Sequence, residues 1–167
     1  MKISMHAASV GVYGPLLSHL DSILDKAVAW ADARKIDHAA LLGARLAPDM
    51  FPLTKQVQLV SDMSKGTVAR LAGIDPPKFE DNEKTFAELK ARIARTLAFI
   101  NSVEAAKFEG AEERDIVLKL TSRTLEFKGL GYLLDFGTPN VYFHYTMVYA
   151  LLRHNGLDLG KRDYVGG

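Results

Sequence analysis

Residues 138–154, TPNVYFHYTMVYALLRH, are the segment that most clearly indicates a helical bundle. Thr138 is a favourable helix N-cap, and Pro139 suits the first helical position because the N–H group it lacks is not needed there. Asn155 and Gly156 then provide a helix stop. The apolar residues of this segment lie nearly all around the helix, which is typical of a helix buried at the centre of a bundle or at a subunit contact.

Apolar residues at three- and four-residue steps predict three further long helices, which cover about residues 6–34, 53–71 and 85–103. Because proline disrupts a helix interior, the first of these helices either starts near Pro15 or is kinked there. Thr85 and Glu88 form a capping box at the start of the third. A brief helix over residues 38–46, capped by Asp37, is expected between the first two.

The region between the third and fourth long helices has a different pattern. Apolar and polar residues alternate over residues 116–120 and 125–127, on either side of residues 121–123. This alternation predicts a small β-hairpin, and a helix over residues 111–126 is the alternative. The sequence therefore predicts a mainly α protein, a four-helix bundle with a small hairpin, that forms a single domain over residues 1–167.

The composition excludes several classes of function. Hydrophobic residues make up 48% and charged residues 25%, as in an ordinary globular domain. The net charge of +1, with no clustered basic excess, predicts no nucleic-acid partner. The chain has no cysteine, which excludes disulfides and thiolate catalysis. Because no segment approaches the ~18 apolar residues of a membrane span and the N-terminus lacks a signal-peptide core, we expect a cytoplasmic protein without a membrane partner.

Polar side chains on apolar helix faces form the candidate site. Gln56 lies on the inward face of the second long helix, and Asn140 and His144 share one face of the last helix because they are four residues apart. These three side chains could bind a small ligand or a weakly held metal in the bundle core, with His144 as the metal-ligand candidate and the one acid–base group. In the alternative interpretation, His144 is a satisfied core residue that is hydrogen-bonded to Gln56.

A second side of the last helix carries tyrosines. Tyr142, Tyr145 and Tyr149 are followed by Arg153, and this set either lines a pocket for a polar or anionic ligand or forms the rim of an interface. The tail, residues 160–164, folds back onto the body, reaches a partner or is a loosely held terminus.

The other ionisable residues offer no recognisable chemistry. Asp81 and Glu83 are interpreted as solvated loop charges, Asp62 and His19 as outward-facing side chains. No pair of carboxylates stands out as a general acid and base.

Several motifs carry a resemblance to known proteins. They are Leu46-Ala47-Pro48-Asp49-Met50-Phe51-Pro52, Phe127-Lys128-Gly129, residues 139–144, residues 152–156 and residues 160–163. These motifs resemble an uncharacterised bacterial family of unknown function across nearly the whole chain. That family in turn resembles, at the level of the fold, the DinB/YfiT-like superfamily of proposed metalloenzymes. The resemblance implies a four-helix bundle, often dimeric, in which three histidines hold a metal.

The metal ligands of that superfamily come from the second helix and from an H-x3-H pair on the last helix. Aligning the chain on residues 152–156 places the second histidine of the pair at His144 and the first at Asn140. Gln56 or Gln58 stands where the histidine of the second helix is expected. Because neutral amides are poor ligands for zinc or nickel, we expect the metal site to be lost or altered.

Two hypotheses about function follow from these observations. In the first, the protein is a binding or enzyme module with a small-ligand pocket lined by His144, Asn140 and Gln56, with Tyr142 or Tyr145 nearby; some relatives resemble thiol-dependent transferases. In the second, the protein is a non-catalytic homodimer whose inward polar groups only specify packing.

Overall fold

Four long helices pack around one apolar core in the computed structural model, which describes residues 3–167. The elements in chain order are α1 (Met5–Arg34), α2 (His38–Leu42), α3 (Leu53–Ala72), α4 (Phe86–Ser102), β1 (Asp115–Lys119), β2 (Thr124–Lys128), α5 (Gly129–Gly131), α6 (Thr138–His154) and α7 (Lys161–Val165). Helix α1 packs against α3, α4 and α6, and α3 also packs against α4 and α6. The predicted four-helix bundle is confirmed.

Helix α1 passes through Pro15 without ending. It begins at Met5, where the Ser4 hydroxyl accepts a hydrogen bond of 3.1 Å from the Ala7 amide, so the alternative that it starts near Pro15 is wrong. The proline leaves the Gly11 carbonyl without its helical donor. Gly11 and Pro15 both lie on the exposed side of the helix, where water can hydrate that carbonyl.

The predicted helix caps before α2 and α4 are present. The Asp37 carboxylate accepts a hydrogen bond of 2.9 Å from the Ala39 amide, although α2 ends at Leu42 and is shorter than predicted. Thr85 and Glu88 form the expected capping box at the start of α4. These caps satisfy amides that would otherwise lack partners, so they fix where the helices begin.

The hairpin between α4 and α6 is confirmed. Strands β1 and β2 are antiparallel, with Asp115 opposite Lys128 and Lys119 opposite Thr124. Ile116 and Leu118 point into the core, as the alternation predicted. The alternative of one helix over this region is wrong, since two short 3₁₀ turns, Ala105–Phe108 and Ala111–Glu113, precede the strands.

The start of α6 differs from the prediction. Thr138 is not an N-cap, because Gly137 and Thr138 both have helical dihedral angles and the chain enters α6 through a π-helical turn, Tyr132–Gly137. The Thr138 hydroxyl instead lies 2.9 Å from the Tyr13 hydroxyl of α1. Gly137 allows α6 to approach α3 closely, since a Cβ atom there would lie 2.8 Å from the Thr67 side chain.

Helix α6 is not buried on all sides. The prediction that this nearly all-apolar helix is buried, at the centre of the bundle or at a subunit contact, is corrected for the side that carries Tyr142 and Phe143. Val141, Tyr145 and Val148 are buried, but Tyr142 is 40% exposed and Phe143 is 53% exposed. An apolar helix surface can be covered by the same chain or by a second one, and the sequence pattern does not distinguish the two. Neither α6 nor any other helix in the described part of the chain has the length and apolar character needed to span a bilayer.

Candidate functional site

Helices α3 and α6 bring Gln56 and His144 into direct contact. Gln56 is 2% exposed and His144 is 9% exposed, and Nδ1 of His144 lies 2.8 Å from Oε1 of Gln56. The Gln56 amide nitrogen donates to the Phe51 carbonyl oxygen at 3.3 Å. Because the amide nitrogen is committed to that carbonyl, the amide oxygen accepts from His144, and the proton of the neutral imidazole is therefore on Nδ1.

The second ring nitrogen of His144 remains available. Nε2 has no hydrogen-bond partner among residues 3–167. Burial lowers the pKa of His144 below its ordinary value, and the positive charge of Lys55 lowers it further. At neutral pH the imidazole is therefore uncharged, with a lone pair on Nε2 that can accept a hydrogen bond or a proton.

The other predicted members of this group are engaged elsewhere. Nδ2 of Asn140 donates to the Phe136 carbonyl at 2.7 Å, within its own helix. Nε2 of Gln58 donates to the Glu83 carboxylate at 2.9 Å, so Gln56 alone of the two glutamines pairs with His144. The site is thus a histidine–glutamine pair rather than a cluster of three side chains.

The residues present do not fit a three-histidine metal centre. One of the three aligned positions is an imidazole, His144, and the amide groups of Gln56 and Asn140 are already hydrogen-bonded. Within residues 3–167, no group of three histidine, aspartate or glutamate side chains is arranged to hold a metal ion. His144 could contribute a single ligand, which is less than structural or catalytic zinc sites use.

Tyr142 and Tyr145 line a separate cavity of about 280 Å³ between α1, α6 and α7. Tyr145 is 1% exposed, and its hydroxyl donates to the Tyr164 carbonyl at 2.9 Å. Burial raises the pKa of Tyr145, so the phenol stays protonated. These two tyrosines therefore do not join the Gln56–His144 pair in one pocket.

The rest of the predicted tyrosine and arginine set holds the tail. The Tyr149 hydroxyl donates to the Leu159 carbonyl at 3.2 Å, and Arg153 donates to the Leu157 carbonyl at 3.1 Å. Asp163 of α7 forms an ion pair with Lys26 of α1. The alternative of a loosely held terminus is wrong, because side chains from α1 and α6 fix the tail to the body.

Sequence reasoning missed a buried charge cluster around Arg92 of α4. The Arg92 side chain is fully buried and donates to Glu83 at 2.9 Å and to Asp62 at 2.7 Å, while Asp81 lies 3.0 Å away. Burial disfavours the charge of Glu83, but hydrogen bonds from Arg92 outweigh it and lower the pKa of that carboxyl group.

The interpretation of Glu83 as a solvated charge is wrong, since the residue is 9% exposed, and Asp62 is turned toward Arg92. Arg92 itself lies on the buried stripe of α4, three residues after Leu89. That position is the signal that could have revealed the cluster. Because its charged groups bind one another, the cluster fastens the loop before α4 to the bundle.

The bundle and its hairpin are those of a DinB-like helical protein. The chain is similar to a crystal structure of a DinB family member protein from Shewanella denitrificans, with 38% sequence identity and a TM-score of 0.90 over 98% of this chain and 92% of that one. The chain belongs to the family described as "Domain of unknown function (DUF1993)", which matches residues 5–165. No curated protein matches it. The predicted DinB-like relation is confirmed, and the metalloenzyme relation stays a prediction.

Proposed function

We propose that the protein binds a small ligand through Nε2 of His144 at the contact between α3 and α6, without a three-histidine metal centre. The observation that carries this proposal is the orientation of a neutral imidazole by Gln56, which leaves Nε2 free to accept. The ligand would carry a hydrogen-bond donor, such as a hydroxyl, thiol or N–H group.

The hydrogen bonds around His144 support a binding role over a purely structural one. Functional imidazoles are commonly oriented through one nitrogen while the other meets the ligand. Here the Phe51 carbonyl fixes the Gln56 amide, and the amide fixes the ring. The half-exposed Phe143 ring lies edge-on to the His144 ring, with centroids 5.2 Å apart, and offers an apolar surface beside the site.

Two measurements test the proposal. The first is mass spectrometry of small molecules released when the purified protein is denatured. The second is NMR of the His144 ring while L-cysteine or glutathione is added as a probe. We expect a released molecule or a saturable probe shift in the wild type, and neither in His144→Ala.

The control is His154→Ala, which changes an exposed histidine on the same helix and should leave binding unchanged. Thermal unfolding checks that both variants fold. The proposal is wrong if His144→Ala binds as well as the wild type, or if the wild type releases nothing and no probe shifts the His144 signals.

A second candidate function is a non-catalytic homodimer. It is favoured by the exposed aromatic surface of α6, where Tyr142 is 40% and Phe143 is 53% exposed. Aromatic residues are enriched at the cores of protein interfaces. In this case Phe143→Lys should turn a dimer into a monomer in sedimentation experiments, and His144→Ala should lower stability without affecting any ligand. A wild-type monomer at high concentration would remove this candidate.

A further inference from the structure

The cavity between α1, α6 and α7 is not used by the proposed His144 site. We propose that it is a second and independent ligand site, which takes a flat, uncharged aromatic molecule of about two fused rings with one polar edge. Its volume is about 280 Å³. An apolar cavity of ~150 Å³ holds one benzene molecule, so roughly two rings fit here.

The walls of the cavity favour a flat and apolar occupant. Pro15 and Leu16 of α1 form one side, and Tyr142, Tyr145 and Tyr164 form the other. Tyr145 and Tyr164 already stack on each other, with ring centroids 4.4 Å apart and planes inclined by 28°. Aromatic walls of this kind gain most from a ring that packs by offset stacking or edge to face.

One polar group, the Tyr142 hydroxyl, remains to meet the edge of the ligand. The Tyr145 hydroxyl donates to the Tyr164 carbonyl, and the Tyr164 hydroxyl lies 2.8 Å from Thr146 Oγ1. The Tyr142 hydroxyl has no hydrogen-bond partner within the described residues 3–167, whereas the Nε2 edge of the His19 ring packs against Gly166. Among residues 3–167, no carboxylate, ammonium or guanidinium group lines the cavity, so a charged ligand would be desolvated without a counter-charge.

The tail closes one end of the cavity in a fixed position. The ion pair between Lys26 and Asp163 holds α7 on α1. Gly166 has a φ angle of 74° and lies so close to the His19 ring that a Cβ atom would overlap it. His19, which the sequence placed on the outer side, is therefore half-buried beneath the tail. This wall is built from specific contacts, so the cavity has a defined shape.

Gly11 leaves the mouth of the cavity open. A glycine inside a helix is less stable than an alanine at the same position. A Cβ atom at Gly11 would meet no atom within 4 Å, so packing within the chain does not require glycine there. Gly14 is equally unobstructed but does not line the cavity. The two glycines of α1 therefore provide a variant and its matched control.

The test uses 2-naphthol as the probe, with binding followed by NMR and calorimetry. We expect the wild type to bind it saturably at one site. Gly11→Leu should weaken binding at least about tenfold, and Gly14→Leu should leave it unchanged. Both changes raise helix propensity, and circular dichroism checks the fold. Tyr142→Ala, at an exposed position of α6, should also weaken binding and serves if Gly11→Leu does not fold.

Two comparisons separate this site from the other proposals. His144→Ala should bind 2-naphthol like the wild type, since the two sites share no residue. The saturated analogue decahydro-2-naphthol should bind more weakly because it is not flat. The inference is overturned if the wild type shows no saturable binding, or if Gly11→Leu and Gly14→Leu affect binding equally. Equal effects accompanied by a change in sedimentation would indicate that α1 contacts a second copy instead.

Discussion

Replacing Gln56 with leucine tests the contact that orients His144. Leucine has a similar volume but cannot accept from Nδ1 of His144, which lies 2.8 Å from the amide oxygen. The buried Nδ1 donor of His144 would be left without a partner, which costs about 1–3 kcal/mol. The Phe51 carbonyl would also lose its donor, but it belongs to an exposed residue and can be hydrated instead. We therefore expect a loss of about 2 kcal/mol. In a domain of this size, that loss lowers the unfolding midpoint by about 4–8 °C.

A double-mutant cycle isolates this contact. Urea unfolding of Gln56→Leu, His144→Ala and the double variant should give a coupling free energy of about 1 kcal/mol. The matched control is Gln58→Leu, because the Gln58 amide donates to Glu83 rather than to His144. Its effect should add to that of His144→Ala within about 0.5 kcal/mol. Additive effects of Gln56→Leu and His144→Ala would refute the hydrogen bond and the tautomer derived from it.

Three further predictions concern pH and packing. The pKa of His144 in the folded protein is lowered from 6.5, so the unfolded chain binds the proton more readily than the folded one. As the pH falls from 6.5 to the folded-state pKa, the free energy of unfolding should therefore decrease, by at most about 1.4 kcal/mol per pH unit. Urea unfolding at several pH values should show this slope in the wild type and not in His144→Asn, and equal slopes would contradict it. Glu83→Ala should lower the free energy of unfolding in urea by about 2–3 kcal/mol, a loss limited by the other carboxylates that Arg92 keeps. Glu80→Ala is the control and should have no effect, because Arg92 donates to the backbone carbonyl of Glu80 and not to its side chain. Tyr145→Phe removes the hydrogen bond to the Tyr164 carbonyl, costs about 1 kcal/mol and should speed proteolysis of the tail; unchanged cleavage would show that this bond does not hold α7.

Local signals were enough to predict most of the fold. Apolar spacing defined the four long helices, and the Thr85–Glu88 capping box marked the start of α4. The alternation in residues 116–120 identified the hairpin. The contact between Gln56 and His144 was also foreseen, because each lies on the inward face of its helix and a buried polar group needs a partner.

The remaining features depend on how separate elements of the chain pack against one another. Thr138 followed by proline has the local signature of a helix start, but its hydroxyl is taken by Tyr13, 125 residues away. Glu83 lies in a polar segment that is typical of a solvated loop, and it is buried because it pairs with Arg92 of α4. The role of Tyr149 and Arg153 depends on where the tail docks. No local pattern encodes the docking of Thr138 on Tyr13 or of the tail on α6, whereas the buried position of Arg92 on α4 was a signal for the Glu83 contact.

Elemental analysis before and after metal addition tests most directly whether His144 acts outside a three-histidine metal centre. The protein is purified without an affinity tag or chelator and is then offered zinc, nickel, iron or manganese. We expect metal well below one equivalent and the same content in His144→Ala, because the amides of Gln56 and Asn140 are already hydrogen-bonded. Near-stoichiometric metal that disappears in His144→Ala would contradict this result and establish His144 as a metal ligand.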